Sequence, residues 1–348
     1  MTTPQIQSAK IPPGLTAADE ALHAAPPEAE DRLFGDTVWL SAIDPGAGIW
    51  GISQMHVSPN RNYGRFQSLF WIDGIGQMYT GKAVGGLAVG QSRWSDGRLT
   101  YEVLEPFEAI RLTMDNPRFG FDFLYTGRHP AFDYDDCIGG SPLDGLKPAA
   151  GVHGGHYEQA MALTGTFEIR RGPQAGEVRR IDTVAHRDHT WSDRFSSPAP
   201  WEYPAGKSGA LHYWLVLQFP SRAFNVSGFF DLSALGITRP IDRIGGFEST
   251  PTGTRPVLSC VADPVGPAPL GREGFTRYRL GFENGDVVHV RATRTEAIAK
   301  LLMLGEDDTE SRLNDYERLC ALVIEETGEQ GHGVIEHSTL PPEPRWLV

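Results

Sequence analysis

The sequence predicts an all-β protein made of two antiparallel β units, with few and short helices. Short apolar or alternating segments follow one another along the chain, and Gly, Pro, Asn or Asp separate them. An Asn284-Gly285 pair joins two of these segments, which indicates a tight β-hairpin because both turn positions need positive φ. The repeated alternation of strand and helix that builds a parallel sheet is missing. Many strands at regular spacing are typical of antiparallel barrels and sandwiches.

The predicted strands end at turn signals. Residues 66–73 form an apolar and aromatic run that ends in Asp73-Gly74, and residues 99–105 alternate until Pro106. Further segments show the same two patterns, and they span residues 107–114, 161–170, 178–184, 210–219, 223–231, 275–283 and 286–293.

Two segments near the C-terminus are harder to assign. Residues 295–304 fit a helix, because Thr295 can cap it and the apolar residues that follow share one helical face. Residues 313–326 fit both a helical and a strand period. The Gly-rich turn that follows them favours a hairpin, which is our prediction for this segment.

Composition divides the chain into three parts. Residues 1–30 are rich in Pro, Ala and Glu and predict a loose arm, with at most a short helix around residues 17–25. We predict an N-terminal β unit in residues 31–145 and a C-terminal β unit in residues 146–348. A segment rich in Gly, Asp and Pro, residues 132–157, is the predicted seam between them.

Length and charge exclude several classes of protein. The 348 residues suit two domains or one doubled unit. Their 44 acidic and 31 basic side chains leave a net charge of −13, which argues against a nucleic-acid surface. The longest uncharged apolar run, residues 211–219, is too short for a membrane span. We expect a small hydrophobic molecule as the partner, and a homodimer is an open option.

The cysteines indicate the compartment. Cys137, Cys260 and Cys320 lie far apart and form no CxxC motif, so we expect reduced thiols and no zinc ribbon. The N-terminus has no apolar signal region. Both observations predict a cytoplasmic protein.

Standard motifs of cofactor and nucleophile chemistry are missing from the sequence. There is no Rossmann GxGxxG in its strand-to-helix frame, no Walker motif, no GxSxG elbow and no HExxH. We therefore expect no cofactor, and covalent Ser or Cys catalysis has no local support.

One cluster of polar residues is the main candidate for chemistry. Residues 185–194 read AHRDHTWSDR and follow an apolar strand, so alternation divides them between two faces. His186 and Asp188 share one face with Thr190 and Ser192. The other face carries Arg187, His189, Trp191 and Asp193. A proton carrier beside an aromatic wall and a carboxylate suits acid–base chemistry in an apolar cavity.

Two other interpretations of this cluster stay open. Arg and Asp at such spacing often form a salt-bridge network that holds a strand end. A metal site would need His186, Asp188 and His189, but His189 points away from the other two unless a bulge intervenes. We therefore assign no metal ligands.

An aromatic group follows the polar cluster and predicts the lining of an apolar pocket, as at the mouth of a small barrel. Ordinary core packing is the alternative for any single member. Tyr213 and Asp231 are the polar candidates facing the pocket, and Trp214 would point opposite to Tyr213. The predicted binding residues are Trp201, Tyr203, Trp214, Phe229 and Asp231.

Four stretches carry a resemblance to a known family: DTVWLSAIDPGAGIWG from Asp36, HYEQ from His156, HRDHTW from His186 and GHGVIEHS from Gly331. Together they resemble the carotenoid 1,2-hydratase and AttH-like superfamily. The resemblance implies two packed lipocalin-like (calycin) β-barrels and no redox cofactor. It also implies water addition to isoprenoid double bonds, or cyclisation and ring closure of related substrates.

The resemblance also implies particular site residues. The His-x-Trp motif of the hydratases matches His189 and Trp191, and Tyr213 matches the Tyr of their Tyr-x-Asp motif. Leu215 stands where that motif has its Asp, so Asp188, Asp193 or Asp231 would have to replace the proton donor. Tyr213 would then donate a hydrogen bond.

The combined prediction is a cofactor-independent lyase or isomerase (a hydratase, isomerase or cyclase) that protonates a C=C bond of an isoprenoid-like or polycyclic substrate. Asp188 or Asp193 would be the acid, and Arg194 would fix its orientation. His189 would orient or relay the proton, and Trp191 would face the cation. A lipophile carrier without catalysis is the second hypothesis, and a hydrolase is the third.

Overall fold

The computed structural model describes residues 11–27, 34–138, 154–193, 210–231, 240–265, 275–301 and 314–339. It confirms the predicted all-β class, because two antiparallel β units account for most of these residues and the helical turns among them are short. No helix in these ranges has the length and apolar character needed to cross a bilayer. Cys137, Cys260 and Cys320 are buried.

The first unit is an open antiparallel sheet of eleven strands. The strands are β1 (Phe34–Asp44), β2 (Ile49–Ser58), β3 (Tyr63–Ile72), β4 (Gly76–Val84), β5 (Arg93–Ser95), β6 (Leu99–Glu105), β7 (Ala109–Asp115), β8 (Phe119–Gly127), β9 (Phe132–Asp133), β10 (Gly155–Ile169) and β11 (Val178–Asp193). Their order is β4-β3-β2-β1-β11-β10-β8-β7-β6-β5, with β9 paired to β10. The long strands β10 and β11 therefore lie at its centre.

The second unit is a closed antiparallel barrel of eight strands in sequence order. They are β12 (Ala210–Gln218), β13 (Ala223–Asp231), β14 (Pro240–Thr250), β15 (Gly253–Val265), β16 (Phe275–Phe282), β17 (Val287–Leu301), β18 (Asn314–Ile324) and β19 (Gln330–Thr339). The predicted hairpin between β16 and β17 is present, but the expectation of positive φ at both turn positions is wrong, because Gly285 has φ +83° whereas Asn284 is not among the residues with positive φ. The hairpin predicted from residue 313 onward is present as β18 and β19.

The sheets divide at a different point from the predicted boundary at residue 145. Strand β11 pairs with β1, with Phe34 opposite Asp193, and β10 pairs with both β11 and β8. Residues 155–193 therefore complete the first unit. The Gly-rich segment lies between two strands of one sheet, so its composition marks a long connection and not a change of domain.

The helix predicted in residues 295–304 is wrong for residues 295–301, which continue strand β17. Ala297 and Ala299 are buried, Glu296 before them is exposed and Ile298 between them is partly exposed, so burial alternates with a period of two. The two alanines pack between the units, and this tertiary contact overrides the local helical propensity.

The predicted loose arm packs against the first unit in residues 11–23. Thr16 caps a short 3-10 turn at Ala17–Glu20 through a capping box with Asp19. Leu22 joins the core of the first unit, and its backbone bonds Gly90 and Gln91. The polar residues of the arm therefore have fixed positions on the first sheet.

An apolar cluster between the two units holds them together. Trp39 and Trp214 meet edge to face, with ring centroids 4.9 Å apart. Trp39 Nε1 also donates a hydrogen bond to Glu317 Oε1 of the second unit at 2.8 Å. The buried members of this cluster are Trp39, Ile43, Trp50, Ile52, Leu69, Trp214, Val216, Ala297, Ala299, Leu319 and Val334.

Candidate active site

Strand β11 presents polar side chains on both of its faces, as the alternation predicts. His186 and Asp188 point to the second unit, where His186 lies near Trp214. Arg187 and His189 point to the first unit and contact its arm and its aromatic residues. The residues that were predicted to form one site therefore form two clusters, one on each side of the sheet.

The first group, which we call the interface cluster, consists of His156, Glu158, His186 and Asp188. Glu158 has 0% of its surface exposed and lies under the second unit. It accepts hydrogen bonds from Trp214 Nε1 at 2.8 Å and Asn225 Nδ2 at 2.5 Å, both from the second unit. A carboxylate so deeply buried needs such donors to offset the loss of water.

His186 completes the support of Glu158. Gln218 Nε2 donates to His186 Nδ1 at 3.1 Å, so the ring proton of a neutral His186 lies on Nε2. His186 Nε2 in turn donates to Glu158 Oε2. The orientation of Glu158 is therefore determined from both units.

His156 and Asp188 form the accessible edge of the interface cluster. His156 Nε2 donates to Asp188 Oδ2 at 2.6 Å and lies 3.1 Å from Glu158 Oε1. Thr190 Oγ1 donates to Asp188 at 3.1 Å, and the ring of Tyr134 stacks on His156 with centroids 4.2 Å apart. The side chain of His156 is 12% exposed.

Charge determines the protonation of His156. Burial by itself disfavours the imidazolium, but the charges and hydrogen bonds of Asp188 and Glu158 outweigh it and raise the pKa of His156 to about 9. Nδ1 of this ring is buried and has no hydrogen-bond partner among the described residues. At neutral pH His156 is thus a cation with one N–H held by carboxylates and a second, buried N–H that has no described partner.

The second group, which we call the arm cluster, consists of His23, Asp36, Tyr157, His189 and Trp191. Asp36 is fully buried and accepts from His189 Nε2 and His23 Nδ1, each at 2.8 Å. Tyr157 Oη lies 3.0 Å from His189 Nδ1, and Trp191 stacks on His23 with centroids 3.9 Å apart. Burial raises the pKa of Asp36, but His189 and His23 outweigh it and lower that pKa to about 2.

A buried ion pair lies beside the arm cluster. Arg187 donates to both carboxylate oxygens of Glu20, at 2.6 and 2.9 Å, and its guanidinium lies 4.8 Å from the centre of the Tyr157 ring. Glu20 also accepts from the backbone N–H of Phe107 at 2.8 Å. These bonds hold the arm against the centre of the first sheet.

The two clusters lie within a region that a known family shares. The sequence profile described as "Domain of unknown function (DUF7064)" matches residues 16–231, which is more than half of the chain. The chain belongs to this family. The match begins in the arm and ends with β13, so it contains every residue of both clusters.

Solved structures confirm the fold of this DUF7064 protein. A protein assigned as AttH from Nitrosomonas europaea has a TM-score of 0.59 at 13% identity, over 88% of this chain and 92% of its own. Kievitone hydratase from Nectria haematococca has a TM-score of 0.58 at 13% identity, over 93% of both chains. CghA has a TM-score of 0.55 at 10% identity, over 95% of this chain and 97% of its own. No curated protein matches the DUF7064 sequence.

These likenesses confirm the predicted fold of two packed lipocalin-like units. At 10–13% identity these likenesses show the architecture of the DUF7064 chain and not its chemistry.

The structure separates the predicted catalytic residues of the DUF7064 protein. Asp188 bonds His156, whereas His189 and Trp191 lie on the other side of the sheet with Asp36. With Asp188 as the acid, the expected relay through His189 is wrong, because adjacent residues of a strand point to opposite faces; the other predicted acid, Asp193, has its side chain outside the described part and stays a prediction.

The structure shows where two of the predicted pocket residues lie and does not describe the others. Tyr213 lies in the core of the second barrel near Tyr278, away from both clusters, and Trp214 points the opposite way, as predicted, onto Glu158. Several predicted residues cannot be compared with the structure, because they or their side chains lie outside its described part: Asp193, Arg194, Trp201, Tyr203, Phe229 and Asp231.

Sequence reasoning missed most partners in the two clusters. The alternation of His156 and Glu158 in HYEQ is the one local signal, since it places both on one face of a strand beside β11. Asp36 and His23 carry no comparable signal, because only strand pairing and arm packing bring them to His189.

Proposed function

We propose that this DUF7064 protein is an enzyme that needs no redox cofactor and protonates a C=C bond of a hydrophobic, isoprenoid-like or polycyclic small molecule. Hydration, isomerisation or cyclisation would follow from the same protonated intermediate. The observation that carries the proposal is the His156 imidazolium, which two carboxylates hold on one side while its Nδ1–H has no described partner.

The acid in this proposal is His156 and not the carboxyl group that the sequence suggested. Asp188 and Glu158 stabilise the charged ring and bind its Nε2–H, so the proton available for transfer is on Nδ1. Their charge also keeps the ring oriented while the proton leaves. An acid–base group positioned in this way contributes on the order of 10²–10⁴-fold to a rate.

The proposed reaction begins with the transfer of one proton from His156 to the substrate. The substrate π bond takes the proton from His156 Nδ1, which leaves a carbocation and a neutral imidazole. In hydration, water adds to the cation and returns a proton to Nδ1. In isomerisation, the cation loses a proton from a neighbouring carbon to the neutral His156 Nδ1. In cyclisation, a second double bond attacks the cation first, and the new cation then loses its proton to Nδ1 in the same way. The aromatic ring of Tyr134, stacked on His156, offers a face to the positive charge.

Buried charge favours an enzyme over a carrier. A lipophile carrier needs an apolar cavity and no buried carboxyl group, because each buried charge costs free energy. Here Glu158 and Asp188 are both buried, and His156 has a perturbed pKa beside them. The name of one structural neighbour, kievitone hydratase, supports the reaction class.

Labelling tests the proposal. Small molecules extracted from the purified protein are identified by mass spectrometry and returned to the enzyme in D₂O and in H₂¹⁸O. We expect deuterium on carbon in the product of the wild type, with ¹⁸O as well if the reaction is hydration. His156→Gln should lose this labelling and keep its fold by circular dichroism.

The matched control is His289→Gln, which removes a partly exposed histidine of the second barrel that bonds Glu326. It should label like the wild type. A bound lipophile that returns unlabelled and unchanged would refute the enzyme and support the carrier. Full labelling by a folded His156→Gln variant would remove His156 as the acid.

A further inference from the structure

We propose that His23, Asp36 and His189 bind one divalent transition-metal ion, with Zn²⁺ as the best match, and that this ion pins the N-terminal arm to the first sheet. The ligands come from three separate parts of the chain, the arm, β1 and β11. The ion would have a structural role, so the proposal does not depend on the reaction at the interface cluster.

The donor atoms already converge on one point. His189 Nε2 lies 2.8 Å from Asp36 Oδ1, His23 Nδ1 lies 2.8 Å from Asp36 Oδ2, and all three ligand atoms lie within 4.8 Å of one another. Tetrahedral zinc with bonds of about 2.0 Å separates neighbouring donors by roughly 3.3 Å. The two N···O distances would lengthen by about half an ångström, and the donors that now lie up to 4.8 Å apart would draw closer, as the ion takes the place of the two ring protons.

The ring nitrogens that would not bind the ion have the neighbours expected for metal-binding histidines. A ligating imidazole usually donates its other ring N–H to an oxygen atom, which fixes the tautomer. Tyr157 Oη lies 3.0 Å from His189 Nδ1 and can accept that proton. His23 Nε2 is buried without a hydrogen-bond partner in the described ranges, and Asp19 Oδ1 lies 3.6 Å away. Each histidine thus has an oxygen atom near its second nitrogen.

The chemistry of the three donor groups limits which metal ions the site can bind. Two imidazoles and one carboxylate suit Zn²⁺ or another first-row divalent ion, whereas Ca²⁺ and Mg²⁺ prefer oxygen donors throughout. Trp191 covers His23 by stacking, which restricts access of water to the cluster. Three protein ligands leave a fourth position for one water molecule.

The interface cluster is the weaker metal candidate. His156, Glu158 and Asp188 also bring three donor atoms together. Glu158, however, already accepts hydrogen bonds from Trp214, Asn225 and His186, so it has little freedom to turn to an ion. Asp36 has fewer competing donors, because its two side-chain partners are the two histidines and the backbone N–H of His23 is the other described donor to its carboxylate.

The experiment measures metal content and stability of the full-length protein, purified without a polyhistidine tag or chelator. We expect about one zinc per chain by mass spectrometry of the elements, and a melting temperature that falls by several degrees on chelation and recovers with Zn²⁺. Co²⁺ added to the chelated protein should give visible d–d bands of a four-coordinate site.

His23→Ala distinguishes the outcomes, because His23 is a partly exposed residue of the arm, and circular dichroism checks that the variant is folded. This variant should lose the metal, the Co²⁺ bands and the response to chelation, whereas His289→Ala should keep all three. Failure of the wild type to bind Zn²⁺ or Co²⁺ would overturn the proposal. So would metal that remains in His23→Ala and disappears in His156→Ala, since the ion would then lie in the interface cluster.

Discussion

Asp188 and His189 are neighbours in the chain, but their side chains belong to different sites. Asp188 bonds His156 between the two units at 2.6 Å, and His189 bonds Asp36 inside the first unit at 2.8 Å. The pleat of β11 therefore supplies one residue to the interface cluster and the next to the arm cluster. Substitutions at these two positions should have different consequences.

Asp188→Asn should reduce turnover by about 10²–10⁴-fold and leave ligand binding intact. Asparagine keeps the shape of the side chain but removes the charge that stabilises the His156 imidazolium, so the ring becomes neutral at working pH. Steady-state kinetics and ligand titration measure the two effects separately. Asp122→Asn, which alters an exposed pair with Arg111, is the control and should behave as the wild type. Wild-type turnover in a folded Asp188→Asn variant would contradict this role.

The contribution of His156 to stability should disappear at high pH. Its pKa rises from an ordinary 6.5 to about 9 on folding, despite burial, because of Asp188 and Glu158. A pKa raised on folding contributes stability that is complete below the unfolded pKa and is lost as pH rises through the folded pKa. The melting temperature of the wild type should therefore exceed that of His156→Gln most at pH about 6, and the difference should shrink toward pH about 10. A difference that is constant across this range would show that the pair is not charged.

Glu20→Gln should destabilise the protein by about 3–5 kcal/mol, because it leaves the buried guanidinium of Arg187 without a countercharge. Replacing both residues, as in Glu20→Leu with Arg187→Met, should restore most of that free energy of unfolding. Urea denaturation of the single and double variants measures both values. A loss below about 1 kcal/mol in Glu20→Gln would mean that the arm does not bury the pair in solution.

Gly155→Ala should detach Trp191 from the arm. An added Cβ at Gly155 would lie 2.2 Å from Trp191 Cζ2, which is closer than two carbon atoms can approach. The indole must then leave His23, so we expect altered tryptophan fluorescence and a lower melting temperature. In a Trp191→Leu background the same alanine should cost much less, because the clash is gone. Equal costs in both backgrounds would refute the contact.

Local patterns were sufficient for the fold class and for the faces of individual strands. The hairpin at Asn284-Gly285, the opposite orientation of Tyr213 and Trp214, and the division of β11 all follow from short-range geometry and match the structure, although only Gly285 of the turn has positive φ. Alternation and positive φ are properties of a few consecutive residues, so one sequence reveals them.

Long-range packing decided the features that were predicted wrongly or missed. Ala297 and Ala299 form a strand because they fill the space between the units, although their segment has helical spacing. The arm is ordered in residues 15–23 because Arg187 and Asp36 receive Glu20 and His23, and nothing in the arm itself indicates those partners.

The sequence by itself determined that this protein is a two-unit β protein and that β11 carries polar chemistry on both faces. Only the tertiary structure decided which residues meet there. Strand pairing brings Asp36 and Glu158 next to β11, packing of the barrel brings Trp214 and Asn225 onto Glu158, and the arm brings His23. A side chain's face depends on its neighbours in the strand, whereas its partners depend on how the whole chain closes.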